Sequence, residues 1–350
     1  MTMETLQEIE YDGNELVNVK AKKSAEVYRI PVAQQLIVLG IVLLLIFGTT
    51  VAPHLIALVH KVNATSPIPE KSINVAQTVE STKNVSSAFS DVHLAAKAAY
   101  VWDIKNQKVL YKKNETEALP LASITKLMTA LVAQEVLNES DPVKINAVSV
   151  AQEGNSGLAE GETFNRQTLS DFSLMSSSND GAFALAAAAG NILVPNNGAN
   201  AFVTAMNIRA KEIGLNETSY KNPTGLDIST TEAGAYGSAR DMAFLMEYII
   251  KNDPNILTYT RENAARMYSN DGISHDAENT NEAINKIPGL IGSKTGYTDL
   301  AGGNLAIGFD AGLDRPIAAV VLGSSEAERF TDMLQLVKDT QAYIANESPK

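Results

Sequence analysis

Leu121-Ala122-Ser123-Ile124-Thr125-Lys126-Leu127-Met128-Thr129-Ala130 follows Pro120 and opens a run in which Ile124, Leu127, Met128, Leu131, Val132 and Val136 recur at helical spacing. Apolar residues three and four apart share a helix face, so a buried amphipathic helix is predicted here, with Ser123 and Lys126 in its first turn. Ser123 is the only serine in the chain with a lysine three residues on. That spacing can place the Lys126 amine beside the Ser123 hydroxyl. A serine needs a neighbouring base to become nucleophilic, and a desolvated, deprotonated lysine can serve. Taken alone the pattern is common, and a helix start with a solvated lysine accounts for it as well.

Outward from this helix the chain changes period. Upstream, Ala98 to Asp103 and Lys108 to Tyr111 flank the turn residues Lys105-Asn106-Gln107 and read as a hairpin. Downstream, helical patterns dominate from about 140 to 285, including an Ala-rich run ended by Gly190. Strand-like runs return at Leu290 to Lys294, Asn304 to Phe309 and Ile317 to Leu322, before a last amphipathic helix carrying Phe330, Met333, Leu334, Val337 and Ile344. Strands at both ends with helices between predict an α/β (α+β) fold: an antiparallel sheet flanked by helices, with an inserted helical subdomain.

Two further short patterns stand in this frame. Ser177-Ser178-Asn179 lies between two helical runs, where Ser and Asn commonly serve as helix caps. Gly292-Ser293-Lys294-Thr295-Gly296-Tyr297-Thr298 ends a predicted strand and misses the phosphate-loop pattern, because its lysine follows serine and no helix-forming run comes after. A lysine and a hydroxyl on an edge strand can hold a carboxylate, with glycine permitting close backbone approach.

The ordered trio Ser-x-x-Lys, Ser-x-Asn and Lys-Thr-Gly resembles the signature of penicillin-binding proteins and class A β-lactamases. Its surroundings are similar to the serine D-alanyl-D-alanine carboxypeptidases of bacterial cell-wall maturation, the low-molecular-mass penicillin-binding proteins. The similarity includes Gly161-Glu162-Thr163, Asn222-Pro223-Thr224-Gly225-Leu226-Asp227 and Lys294-Thr295-Gly296-Tyr297-Thr298-Asp299, and covers about residues 95 to 346. It implies the transpeptidase-like fold of that group, no cofactor and no catalytic metal. The substrates implied are peptidoglycan stem peptides ending in D-Ala-D-Ala, with β-lactams as inhibitors. By the same resemblance Ser123 is the nucleophile, Lys126 its base, Ser177 a proton relay and Asn179 an orienting group. Lys294, Thr295 and Gly296 bind the substrate, Tyr297 supplies a backbone N–H beside that of Ser123, and Arg329 adds to carboxylate binding; an ordinary surface arginine is the other reading of Arg329.

Alternatives remain within the resemblance. A D,D-endopeptidase uses the same motifs, and Tyr297 bears on that choice. A class A-like β-lactamase needs a glutamate that positions the deacylating water. Glu212 to Asn216 imitates that pattern, although it also reads as a helix running into the stop residue Gly214.

Composition bounds the rest. The chain has 350 residues, 45% of them apolar, and a net charge of −12, which argues against nucleic acid as a partner. Without cysteine there is no thiolate nucleophile or zinc finger, and four histidines make a His-based triad or multi-His metal site unattractive. Ile30 to His60 holds no Asp, Glu, Lys or Arg, long enough to cross a bilayer. Lys20, Lys22, Lys23 and Arg29 precede it, which predicts a cytoplasmic N-terminus. A cleaved signal peptide and a core helix are the other readings. The expected layout is a cytoplasmic segment 1–33, a transmembrane signal-anchor 34–58, an extracytoplasmic tether 59–92 and a catalytic domain 93–350 at the outer face of a bacterial cell membrane. Too few residues follow Gly296 for the β-rich second domain and C-terminal anchor common in the resembling family, so the N-terminal span is expected to provide the anchoring.

Overall fold

The computed structural model describes residues 88–347. The predicted membrane span 34–58, the segment 1–33 and nearly all of the tether lie outside the described residues. Among the described residues, no helix is long and apolar enough to cross a membrane.

The predicted hairpin forms from β1 (Ala98–Asp103) and β2 (Lys108–Lys113). A short strand β3 (Leu119–Pro120) leads into helix α1 (Lys126–Val136). The middle of the chain then gives β4 (Pro142–Lys144), the single turn α2 (Ala147–Val150) and β5 (Thr163–Asn165), followed by helices α3 (Arg166–Met175), α4 (Asn179–Leu193) and α5 (Gly198–Glu212). Next come β6 (Ser219–Tyr220), β7 (Ala235–Gly237) and α6 (Ala239–Asn252). The hairpin β8 (Ala264–Tyr268) and β9 (Ser274–Glu278) precedes β10 (Leu290–Thr298), β11 (Gly302–Asp310), β12 (Pro316–Ser324) and the closing helix α7 (Glu328–Ala345).

Five strands make one antiparallel sheet in the order β10-β11-β12-β1-β2, so the N-terminal hairpin is joined to the C-terminal strands through β1 and β12. Strand residues alternate between faces, and here the alternation divides two cores. Ala98, Tyr100, Ala306, Ala318 and Val320 pack with Met242, Met246 and Ile249 of α6 and with the helical subdomain. Ala99, Val101, Leu305, Ile307 and Val321 pack with Phe330, Met333, Leu336 and Val337 of α7. The sheet is therefore covered on both faces, with β10 at one edge.

Three differences from the sequence reading have physical causes. Helix α1 is buried all round rather than on one face, from Lys126 through Ala133, because it runs through the centre of the larger core. Helix α4 does not stop at Gly190 but continues to Leu193. A side chain at Gly190 would lie 1.8 Å from the Gly198 carbonyl oxygen, so the glycine serves close packing with the start of α5. Ala88, Phe89 and Val92, placed by composition in the tether, pack on the smaller core, with the Phe89 ring 5.6 Å from that of Tyr111.

Candidate active site

Ser123 sits in a 3-10 turn over Ala122–Thr125, and the α-helix proper starts at Lys126. The turn is strained: Ala122 has φ +47°, in the left-handed region that disfavours a side chain. Its surroundings hold it there. Leu121 N–H donates to the Ala235 carbonyl at 3.0 Å, and the backbone of Gly225 presses against the Ala122 carbonyl, where any Cβ would come within 1.9 Å of the oxygen. Strain of this kind persists only where neighbours over-determine the conformation.

Lys126 is 1% exposed, and its amine lies 2.7 Å from Ser123 Oγ, 2.7 Å from Asn179 Oδ1 and 3.0 Å from the Thr224 carbonyl oxygen. The last two can only accept hydrogens. A neutral amine has two hydrogens and one lone pair, so satisfying both acceptors leaves the lone pair directed at the Ser123 hydroxyl. Burial, and then the positive charge of Lys294, hold Lys126 well below the usual lysine range; the Asp180 carboxylate opposes them.

Between α3 and α4 the chain turns through Ser177, which has φ +60°. Ser178 caps α4 by accepting from Gly181 N–H at 3.0 Å, as its residue type predicts. This cap frees Ser177 and Asn179 to face the site. Asn179 Nδ2 donates to the Glu153 carbonyl at 2.7 Å, which fixes the amide so that Oδ1 meets Lys126. Ser177 Oγ accepts from Lys294 Nζ at 2.9 Å.

Lys294, on the edge strand β10, is 1% exposed and also donates to the Thr295 carbonyl at 3.0 Å. Burial first, and then the charge of Arg329, bring it down to about 7. The Thr295 hydroxyl stands 2.6 Å from that of Thr280. Gly296 passes tightly by the serine turn, where an added Cβ would lie 2.8 Å from the Leu121 oxygen and 3.1 Å from Ser123 N. Tyr297, 46% exposed, marks the rim. Arg329 is not a surface arginine: it is 6% exposed, donates to the Gly296 carbonyl at 2.9 Å and stacks over the Phe330 ring.

The fold thus gathers the sequence-predicted residues into one place from four segments. Sequence reasoning missed the Thr224 and Glu153 carbonyls and the Thr280 hydroxyl. A backbone carbonyl leaves no side-chain signature; the only signal available was the Asn-Pro-Thr-Gly run around Thr224. Glu212, at the end of α5, is 57% exposed at its side chain and pairs with Arg209 at 2.9 Å. It is an ordinary helix residue.

The model of the D-alanyl-D-alanine carboxypeptidase family, peptidase S11, matches residues 82–326. The chain belongs to this family. It is 34% identical over 254 residues to the D-alanyl-D-alanine carboxypeptidase DacF of Bacillus subtilis, a match covering 71% of this chain and 62% of that relative. The chain therefore spans less than two thirds of that carboxypeptidase's length. With a D-alanyl-D-alanine endopeptidase of Escherichia coli it shares 31% identity over 267 residues, 74% of this chain and 81% of the other. Among solved structures, ampicillin-bound penicillin-binding protein D2 of Listeria monocytogenes is 26% identical with a TM-score of 0.58, covering 71% of this chain and 98% of that one. As a family member the chain has the α+β penicillin-binding-protein fold expected from its motifs.

Proposed function

We propose that this family member is a membrane-anchored, penicillin-sensitive serine D,D-carboxypeptidase that removes the terminal D-alanine from peptidoglycan stem peptides. The observation that carries the reading is the buried Lys126 amine, 2.7 Å from Ser123 Oγ with its other two contacts on acceptors.

Ser123 Oγ attacks the carbonyl carbon between two D-alanines while its proton passes to Lys126 Nζ. The carbonyl oxygen becomes an oxyanion received by the backbone N–H groups of Ser123 and Tyr297, and the position of Gly296 beside Ser123 N supports that pairing. Collapse breaks the C–N bond. The departing amine takes a proton from Lys126 through the Ser177 hydroxyl, which leaves an ester on Ser123. Water then attacks the ester, Lys126 again takes the proton, and Ser123 is restored. Lys294 and Thr295 hold the substrate's free carboxylate, with Arg329 supporting the strand that carries them and adding positive charge. Lys294 lends its charge twice, because it also adds to burial in holding Lys126 below the usual lysine range.

A D,D-endopeptidase reading is favoured by the Escherichia coli relative, covered over 81% of its length. Incubation of the full chain with a pentapeptide ending in D-Ala-D-Ala and with a cross-linked dimer separates the two. Release of free D-alanine from the pentapeptide is the expected result. Cleavage of the dimer alone would assign endopeptidase action.

A further inference from the structure

Between β9 and β10 lies Asn279-Thr280-Asn281, a segment fixed at both ends. Asn279 Nδ2 donates to the carbonyls of Thr260 and Glu262 at 3.0 and 2.9 Å, and Asn281 Nδ2 donates to Ser293 Oγ at 3.0 Å. Ser293 in turn donates twice to Thr260 across the β10 edge, its N–H to Oγ1 and its hydroxyl to the carbonyl, both at 3.1 Å. Thr280 N–H reaches the Met175 carbonyl at 3.4 Å, just before Ser177. Held in this way, the half-buried Thr280 places its hydroxyl 2.6 Å from that of Thr295, which is 3% exposed.

We infer that Thr280 is a positioning residue that sets the hydroxyl of Thr295 for a carboxylate-ended substrate. The inference rests on the reading that Thr295 binds the substrate's carboxylate. A threonine hydroxyl has one hydrogen. If Thr295 spends it on Thr280, none is left for the substrate. A carboxylate is the stronger acceptor, because charge-assisted hydrogen bonds are roughly twice as strong as neutral ones. With such a substrate bound, the Thr295 hydrogen turns to the carboxylate, and Thr280 donates into the Thr295 lone pair that faces it. Two hydroxyls in series polarise each other, so the second strengthens the first. The benefit is largest for a negatively charged acceptor and small for a neutral amide. Thr280 thereby adds selectivity for a free C-terminus without touching the substrate.

The test measures kcat and KM of the full chain on a D-Ala-D-Ala peptide and on its C-terminal amide, in Thr280→Val, Thr280→Ser and Thr295→Val. Thr280→Val keeps the shape and removes the hydroxyl; it is expected to raise KM for the acid about five- to tenfold, as loss of one hydrogen bond does, with kcat and the amide little changed. Thr280→Ser restores the hydroxyl and should restore KM. If Thr295→Val lowers acid-over-amide preference while Thr280→Val leaves it intact, or Thr280→Val harms acid and amide equally, the inference about Thr280 is wrong and the carboxylate reading stands. If Thr295→Val leaves the preference unchanged, the carboxylate reading itself fails, and Thr280 with it.

Discussion

Two buried lysines in one site pose a charge problem, and their environments divide the roles. Moving either ammonium out of water is unfavourable unless it is paired, and among the described residues no carboxylate lies in hydrogen-bonding contact with either amine. Each is therefore pushed toward the neutral form, Lys126 well below its usual range and Lys294 to about 7. For catalysis Lys126 must be neutral, so activity rises as pH climbs through its lowered pKa. Lys294 must be charged to hold a carboxylate, so binding of an acid-terminated peptide declines above about pH 7. The expected kcat/KM profile is bell-shaped for the acid and lacks its basic limb for the corresponding amide. Identical profiles for both would contradict the assignment of Lys294 to the carboxylate.

At the scale of elements, the site depends on a strained turn pinned by a loop. Gly225, with φ +81°, touches the Ala122 carbonyl, and its neighbour Thr224 supplies a carbonyl to Lys126. Gly225→Ala has to displace the serine turn; the expected loss is at least about 100-fold in the rate of acylation by penicillin, with destabilisation of about 2–4 kcal/mol in thermal or denaturant unfolding. Gly157 is the control. Its φ is also +81°, yet nothing lies within 4 Å of an added Cβ. Gly157→Ala should cost only about 1 kcal/mol and leave acylation intact, and equal losses in the two variants would deny the turn its special role. These same elements show what the sequence made legible. Strands β11 and β12 were readable because they are continuous apolar runs, and the Ser-x-x-Lys, Ser-x-Asn and Lys-Thr-Gly triplets because their chemistry needs particular side chains. The β8–β9 hairpin was not, since its outward positions carry Arg266 and Asp276, paired at 2.7 Å, and only Met267, His275 and Ala277 turn inward to burial. His275 makes up for that thin core by meeting the buried Glu162 at 2.9 Å, a long-range pair that no local spacing announces.

For the whole molecule, the proposed arrangement places a cytoplasmic segment 1–33, a membrane span 34–58 and a tether ahead of the catalytic head, at a bacterial cell membrane. The uncharged run from Ile30 to His60 and the basic residues before it support this orientation. Protease added to spheroplasts bearing the full chain should degrade the head and spare the first thirty residues. Recovery of a mature chain beginning near residue 53 would instead identify a cleaved signal.

The central claim is that Ser123, activated by Lys126, forms the acyl-enzyme. The most direct measurement is mass spectrometry of the full chain after brief exposure to penicillin, with peptide mapping, in the unaltered protein and in Ser123→Ala. One penicillin per chain on the peptide containing Ser123, persisting for many minutes and absent from Ser123→Ala, is the predicted result. A label that survives in Ser123→Ala, or that maps to Ser177, would contradict it.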